Sequence, residues 1–244
     1  MAKQFIILLV AIGFNFAVMA QVKIHSHNDY THKRPFFEAI ENKAFSIEAD
    51  VFLIGDSLMV AHSKKEIRAG NTLENLYLKP LSRFSKTKDY YTIHLVIDIK
   101  DDWNLTSKAL IKTLKKYQKD FGRQGRNSVV VITGNRPETN FDWVNLYFDG
   151  LPNVDYSAAD LQKIVMISDN FAKYSKWKGE GEISEIDKAK LKLSIDNAHK
   201  LGLPFRFWGA PDNETCWQML HELGADIINT DQVTKATNYF NKEK

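Results

Sequence analysis

Three carboxylates in two hydrophobic segments have the spacing of a metal site. Glu48 and Asp50 are two residues apart in "SIEADVFL", and Asp98 lies in the next such segment, "HLVIDIK". Successive residues of a strand point to opposite faces, so Glu48 and Asp50 share the face opposite to the aliphatic side chains. Buried carboxylates repel one another unless a cation lies between them, and hard divalent ions prefer oxygen ligands. The sequence therefore predicts Glu48, Asp50 and Asp98 as ligands of Mg²⁺ or Ca²⁺.

Two histidines near these carboxylates have the side chain that acid–base catalysis requires. His25 ends the first strand-like segment, and His62 lies twelve residues after Asp50. Beside a divalent cation, one imidazole would deprotonate an attacking oxygen and the other would protonate the leaving oxygen. Lys100 would add a fixed positive charge for the developing anion. Beside such a cation, His25, His62 and Lys100 would supply the groups that cleavage of a phosphodiester requires; the alternative is that the histidines pack in loops or lie on the surface.

The elements that must position these residues follow a regular alternation. Short strand-like segments rich in β-branched residues alternate with helical patterns, with no linker or low-complexity region between them. This order predicts a single (β/α)8 barrel, and the absence of a Gly-rich turn after the first strand disfavours a doubly wound sheet. The eight predicted strands span residues 23–27, 46–53, 94–100, 128–134, 145–151, 164–169, 205–210 and 226–231.

The charged faces of the second and third predicted strands indicate where the site lies. In residues 94–100, Leu95, Ile97 and Ile99 share one face, and Asp98 and Lys100 share the other. Barrel enzymes place their chemistry at the C-terminal ends of the strands. We therefore expect the aliphatic side chains to pack under the helices and the charged side chains to point into the barrel mouth.

Composition and charge exclude some classes of function. The 244 residues include 33 basic and 30 acidic side chains, a net charge of +3 spread along the chain, so no nucleic-acid surface is predicted. Residues 1–20 are apolar after Lys3 and end in small residues, which predicts a secretory signal cleaved after Ala20 and no stable membrane span. We therefore expect the mature protein to be a single barrel domain, residues 21–244, that is secreted or periplasmic. The single cysteine, Cys216, leaves no internal disulfide.

The order of these motifs carries a family resemblance. His25, Glu48-Ala-Asp50, His62 and Asp98-Ile-Lys100, followed by "FRFWGAPDNETCW" and "GADIINTDQV", resemble the glycerophosphodiester phosphodiesterase and phospholipase C-like barrel superfamily. Within it, "HSHNDY" and "SIEADVFLIGDSLMVAHS" are similar to the altered inheritance of mitochondria protein branch and its bacterial relatives. The resemblance covers residues 23–235. It implies a metal-dependent phosphoric diester hydrolase acting on a glycerophosphodiester or another small or lipid-derived phosphodiester.

The chain also departs from the superfamily pattern. Ser26-His27 stands where the glycerophosphodiesterases usually have Arg-Gly after the first histidine. The phosphate contact of that arginine is therefore either absent or made by another residue, with Asn28, Lys100 and Arg136 as the candidates. Asp98 stands where those enzymes usually have Glu, as it does in the sphingomyelinase D relatives. Trp208 matches an aromatic residue that lines the substrate mouth. The resemblance leaves open whether water or a substrate hydroxyl attacks, the latter giving a cyclic phosphate.

Two other functions compete with a phosphodiesterase. His25-Ser26-His27 also resembles the His-x-His of amidohydrolase-like barrels, in which both histidines would bind a metal. Those barrels recruit further histidines from the fifth and sixth strands, and residues 145–151 and 164–169 contain none. A non-catalytic barrel that binds a ligand in its mouth is the third class. If the chain is a phosphodiesterase, His27 is an additional mouth residue without an assigned role. The sequence defines neither the head group nor an oligomeric state.

Overall fold

The computed structural model describes residues 22–122 and 127–242, so the predicted signal segment lies outside the described residues. Eight parallel strands form a closed barrel, because the first and second strands pair with each other as well as with their other neighbours. This confirms the predicted (β/α)8 barrel. The barrel strands are β1 (Lys23–Ser26), β2 (Ser46–Ile54), β4 (His94–Ile99), β5 (Val129–Gly134), β6 (Leu146–Gly150), β7 (Ile164–Asn170), β8 (Phe205–Trp208) and β9 (Ile227–Thr230).

A ninth strand, β3 (Ser57–Val60), is not part of the barrel wall and was not predicted. It pairs antiparallel with the end of β2, with Val51 opposite Val60 and Ile54 opposite Ser57. Gly55 takes a positive φ of 57° at the turn. The hairpin returns the chain to the level of Asp50, where His62 follows β3.

Helices connect the strands on the outside of the barrel. They are α1 (Phe37–Glu41), α2 (Lys79–Phe84), α3 (Trp103–Leu114), α4 (Ala158–Leu161), α5 (Glu185–Lys200), α6 (Glu214–Glu222) and α7 (Val233–Lys242). Side chains cap several of their N-termini, as when Asp102 accepts a hydrogen bond from the Leu105 backbone N–H at 3.0 Å. Within the described ranges, the helices are all too short or too polar to cross a bilayer.

Strand alternation divides the apolar residues into two cores. The larger core lies between the strands and the helices and includes Ile47, Ala49, Leu95 and Ile97, as the sequence pattern predicts. A smaller cluster fills the barrel at the N-terminal ends of its strands; its members are Val96, Val129, Val131, Val165, Met166 and Ile227. Above this cluster the barrel interior is polar. The apolar floor supports the charged mouth, where Glu48, Asp50 and Asp98 lie.

Candidate active site

Strand pairing brings the three predicted carboxylates together at the mouth. Asp50 lies directly opposite Asp98 in the β2–β4 register, and Glu48 precedes Asp50 on the same face of β2. One oxygen of each carboxylate lies within 4.8 Å of one oxygen of each of the other two. Glu48 and Asp50 are buried, with 5% and 1% of their surface exposed. Three acids at this separation and depth form a set that a divalent cation fits.

The local electrostatics fit a missing positive charge. Burial and the neighbouring charge of Glu48 raise the pKa of Asp50 to about 6, and burial also raises the pKa of Asp98. Lys100 compensates part of the negative charge, because its Nζ lies 2.7 Å from Asp98 Oδ2 and 3.0 Å from Asp50 Oδ2. The remaining oxygens, Asp50 Oδ1 and Asp98 Oδ1, are buried and accept no hydrogen bond from any described residue. Each of these oxygens therefore keeps its capacity to accept a further ligand.

His25 lies below this centre, fully buried, rather than at the accessible mouth. Its Nδ1 is 2.7 Å from Ser46 Oγ, and its Nε2 is 2.8 Å from Glu48 Oε2 and 2.6 Å from a guanidinium nitrogen of Arg206. Burial and the charge of Arg206 lower the pKa of His25 to about 4, so the ring is neutral near pH 7. A side chain with no exposed surface does not fit the predicted role of an acid or base that contacts substrate. With both nitrogens occupied, it also does not fit the metal-binding His25–His27 pair of an amidohydrolase.

His27 is the histidine that the structure places at the mouth. It follows β1, and 30% of its side chain is exposed. Its Nδ1 lies 2.7 Å from Asp231 Oδ1, which turns Nε2 toward Glu48, 3.7 Å from Oε1. Burial lowers the pKa of His27, but the hydrogen bond to Asp231 and the charge of Glu48 outweigh this effect and raise it. Asp231 follows β9, the neighbouring strand, so strand closure forms this Asp–His pair.

His62 lies beside the carboxylates, next to the loop that follows β1. Its Nδ1 is 3.7 Å from Asp50 Oδ2, and 67% of its side chain is exposed. The hydroxyl of Tyr30 lies 3.5 Å from the same nitrogen and donates a 2.8 Å hydrogen bond to Asn28 Oδ1. The predicted partner of His25 is therefore at the mouth, next to the loop that carries His27.

A buried aspartate fixes the loop that carries His27 and Asn28. Asp29 is fully buried and accepts hydrogen bonds from the Ser26 hydroxyl at 2.9 Å, the Phe36 backbone N–H at 2.6 Å and the Tyr77 hydroxyl at 3.0 Å. These contacts hold a one-turn 3-10 helix over Asp29–Thr31. Asn28 precedes it in a left-handed conformation with φ 45°, which asparagine tolerates better than most residues. The loop is therefore a rigid support for the mouth.

The mouth continues into a cavity of about 420 Å³. Glu48, Asp98, Lys100 and His27 line one side, and the predicted substrate residues Arg136 and Trp208 line the same cavity. Trp208 is 42% exposed, so its ring is available to a ligand. Arg136 is already engaged, because its guanidinium donates to the backbone oxygens of Pro137, at 3.1 Å, and Asp149. The predicted Asn28 lies beside His27 and is not among the residues lining this cavity.

Arg206 is a functional candidate for which the sequence predicted no role. It lies inside the barrel with 2% of its surface exposed. One guanidinium nitrogen is 3.2 Å from Glu48 Oε2, and the other is 2.9 Å from Asp149 Oδ2. The sequence does contain one signal for this position, because Arg206 lies between Phe205 and Phe207 in a four-residue strand. Successive side chains of a strand point to opposite faces, so if the two phenylalanines pack under the helices, the arginine points into the barrel.

Gly134→Ala is expected to displace Asp98 from the carboxylate cluster. Gly134 has φ 75°, and a Cβ there would collide with Asp98 Oδ1 and lie 2.6 Å from the Ile99 carbonyl oxygen. We expect the free energy of unfolding to fall by about 1–3 kcal/mol. Divalent-metal binding should weaken as well. Urea denaturation and isothermal titration calorimetry measure the two effects.

Gly55→Ala is the matched control for this substitution. Gly55 has φ 57° but open space where a Cβ would lie. The control should cost about 1–2 kcal/mol of backbone strain and leave metal binding unchanged. Equal weakening of metal binding by both alanines would show that the contact with Asp98 is not responsible.

Two solved structures share the barrel fold with this chain. A glycerophosphodiester phosphodiesterase from Parabacteroides distasonis superimposes with a TM-score of 0.58 at 16% identity, covering 91% of this chain and 98% of that one. A putative glycerophosphoryl diester phosphodiesterase from Agrobacterium tumefaciens superimposes with a TM-score of 0.51 at 11% identity, covering 92% and 99%. The chain therefore shares the (β/α)8 barrel fold of these two proteins.

Sequence comparison finds similarity to one family of proteins. Residues 15–92 match the model of the AIM6-like phosphodiesterase domain. Altered inheritance of mitochondria protein 6 from Saccharomyces cerevisiae (strain RM11-1a) is 29% identical over 275 residues, covering 88% of this chain and 70% of that protein. The homolog from Arthroderma benhamiae is 25% identical over 269 residues, covering 90% and 84%. The chain is a relative of the altered inheritance of mitochondria 6 proteins, which confirms the resemblance predicted from the motifs.

The same comparisons contradict the predicted export. The relatives are fungal proteins named for altered inheritance of mitochondria, and these names point to mitochondria rather than to secretion. The family match begins at residue 15, inside the segment assigned to a signal peptide. An apolar N-terminal run with one basic residue does not by itself distinguish these destinations. The prediction of a secreted or periplasmic protein is therefore wrong.

Proposed function

We propose that the protein is a divalent-metal-dependent phosphodiesterase that cleaves a small or lipid-derived phosphodiester, such as a glycerophosphodiester. The observation that carries this proposal is the convergence of Glu48, Asp50 and Asp98 at the mouth, with His27 and His62 beside them. A ligand-binding barrel would have no need for two histidines and a lysine around two buried acids and a partly buried one. Acid–base cleavage at a metal-bound phosphate needs this combination of groups.

Glu48, Asp50 and Asp98 would hold the ion. The unpartnered, buried Oδ1 atoms of Asp50 and Asp98 support this assignment. When bound, Mg²⁺ or Ca²⁺ would neutralise the non-bridging oxygens of the phosphodiester and orient it. Lys100 lies at the same edge and would add a second positive charge for the anion that develops during cleavage.

His27 and His62 form the proposed acid–base pair, with His27 replacing His25 in the role predicted from the sequence. Asp231 accepts a hydrogen bond from His27 Nδ1, which fixes the tautomer and leaves Nε2 to face the cavity. One histidine would take the proton of the attacking oxygen, and the other would give a proton to the leaving oxygen. His25 supports Glu48 from below, as a neutral ring between Glu48 and Arg206.

Three groups around the cavity would contact the rest of the substrate. Trp208 presents an exposed aromatic face that suits an apolar or cationic substituent. Arg136 lines the same cavity and would act as a nearby positive charge, because its guanidinium already donates to the backbone oxygens of Pro137 and Asp149. Asn28 would hold the His27 loop through Tyr30 rather than contact phosphate.

The proposal is tested by assaying the purified protein against glycerophosphodiesters and lysophospholipids, with and without EDTA. We expect activity that EDTA removes and Mg²⁺ or Ca²⁺ restores. In Asp50→Asn, turnover should fall by about 100-fold or more, as expected when a metal centre loses a ligand. Phosphorus NMR of the products distinguishes hydrolysis from cyclic-phosphate formation.

Glu41→Gln is the matched control for the loss of one carboxylate. Glu41 is exposed and pairs with Arg34 on the outer surface, so this variant should retain full activity. Turnover that persists in EDTA, or an Asp50→Asn protein as active as the Glu41→Gln control, would overturn the proposed metal-dependent mechanism.

A further inference from the structure

Each carboxylate of the proposed metal centre has one oxygen occupied by a positively charged or imidazole neighbour. Lys100 Nζ contacts Asp98 Oδ2 at 2.7 Å and Asp50 Oδ2 at 3.0 Å. For Glu48 the occupied oxygen is Oε2, which lies 3.2 Å from Arg206 and 2.8 Å from His25. Lys100, Arg206 and His25 therefore occupy one oxygen of each carboxylate and leave the other oxygen for a ligand.

The second oxygen of each carboxylate is unoccupied among the described residues. Asp50 Oδ1 and Asp98 Oδ1 are buried without a hydrogen-bond partner. Glu48 Oε1 lies 3.7 Å from His27 Nε2, which is beyond hydrogen-bond distance. The set consists of three single oxygens, one from each side chain.

We infer that Lys100 and Arg206 restrict the three carboxylates to one oxygen each, and that this restriction makes the centre selective for Mg²⁺ over Ca²⁺. The inference rests on the proposed function, because it concerns the ion of that same centre. It identifies Lys100 as a residue that determines metal specificity, in addition to its place beside the substrate phosphate.

The coordination chemistry of the two ions gives the reason. Ca²⁺ takes about six to eight oxygen ligands and accepts bidentate carboxylates, whereas Mg²⁺ requires near-octahedral geometry and keeps several waters. Three single oxygens leave room for waters or phosphate oxygens on an octahedral ion. Three protein oxygens are few ligands for Ca²⁺. The second oxygens of the carboxylates, which could make the contacts bidentate, are already held by Lys100 and Arg206.

Lys100→Gln tests the inference without removing a metal ligand. Lys100 is partly exposed, so its loss should be tolerated by the fold. Isothermal titration with Mg²⁺ alone and Ca²⁺ alone gives two dissociation constants for each protein. Both ions should bind Lys100→Gln more tightly, because the variant has lost a positive charge near the site. The test therefore compares the ratio of the Mg²⁺ and Ca²⁺ dissociation constants between the two proteins, since this general effect on both ions largely cancels in the ratio.

In the unmodified protein we expect Mg²⁺ to bind more tightly than Ca²⁺. In Lys100→Gln the preference should shift toward Ca²⁺ by about tenfold, the usual size of effects from residues that support metal ligands. Lys100→Arg keeps a cation against both aspartates and should retain the original preference. Lys64→Gln removes one positive charge whose partner is Asp101, outside the carboxylate set, and should leave the ratio unchanged.

The outcomes separate this inference from the proposed function. If neither ion binds the unmodified protein, or if Asp50→Asn binds as well as the unmodified protein, the proposed centre itself fails. If both ions bind and depend on Asp50 but the ratio is the same in Lys100→Gln, only the selectivity inference is overturned. A shift of the same size in Lys64→Gln would likewise overturn it, because bulk charge would then explain the effect.

Discussion

Replacing His27 with alanine is expected to lower kcat by about 10²–10⁴-fold, the usual contribution of a general acid or base. His27 is the accessible histidine beside Glu48, and Asp231 holds its ring in place. Divalent-metal binding should persist, because the three carboxylates remain. Steady-state kinetics on the best phosphodiester of the panel and calorimetric titration of the metal measure the two quantities.

Added imidazole distinguishes His27 from His25, the residue that the sequence first indicated. The space left by His27→Ala opens to the mouth, so imidazole should restore part of the activity. His25→Ala leaves a space with no exposed surface, between Ser46, Glu48 and Arg206, and imidazole should not restore that variant. Rescue of His25→Ala alone would contradict the assignment and return the catalytic role to His25.

Replacing Arg206 with methionine is expected to reduce the free energy of unfolding by about 3–5 kcal/mol, the usual cost of removing one partner of a buried ion pair. Arg206 is the cation between Glu48 and Asp149, and Asp149 is 1% exposed. Among the residues that the structure describes, Arg206 is the cation that pairs with the buried Asp149 carboxylate, and its removal leaves that carboxylate without this charge. Urea denaturation at neutral pH measures the loss.

A second substitution shows whether unpaired charge causes this loss. Arg206→Met combined with Asp149→Asn removes both partners and should recover part of the lost stability. Arg34→Met removes an arginine from the exposed pair with Glu41 and should change stability little. If the double variant is as unstable as the sum of the single variants, then lost packing rather than unpaired charge is responsible.

Much of the fold followed from local patterns in the sequence. The period-two alternation of residues 46–53 and 94–100 identified both the aliphatic face and the carboxylate face, because a strand has only two faces. The hairpin strand β3 was missed, although Gly55-Asp56 between two apolar runs is a hairpin signal. The eight predicted strands already account for a complete barrel, so the four residues of β3 are interpreted from the sequence as part of a loop.

The site was less accessible to sequence reasoning, because it depends on contacts between distant residues. His25 lies in β1 and His27 comes directly after it, and only the pairing of His25 with Ser46 shows that His25 lies below the mouth. Arg206 and Asp149 are 57 residues apart in the chain, so nothing local indicates that they pair. The three carboxylates were predictable because neighbouring strands carry them in matching register.

The Asp231–His27 contact joins residues 204 positions apart, one after the last barrel strand and one after the first. This geometry links catalytic competence to completion of the chain. During synthesis, His27 emerges early and remains without its orienting carboxylate until the final strand has emerged and docked against the first. A chain truncated before β9 would hold all three acids and both histidines and still lack an oriented His27. Under the proposed mechanism, turnover would therefore depend on closure of the entire ring of strands.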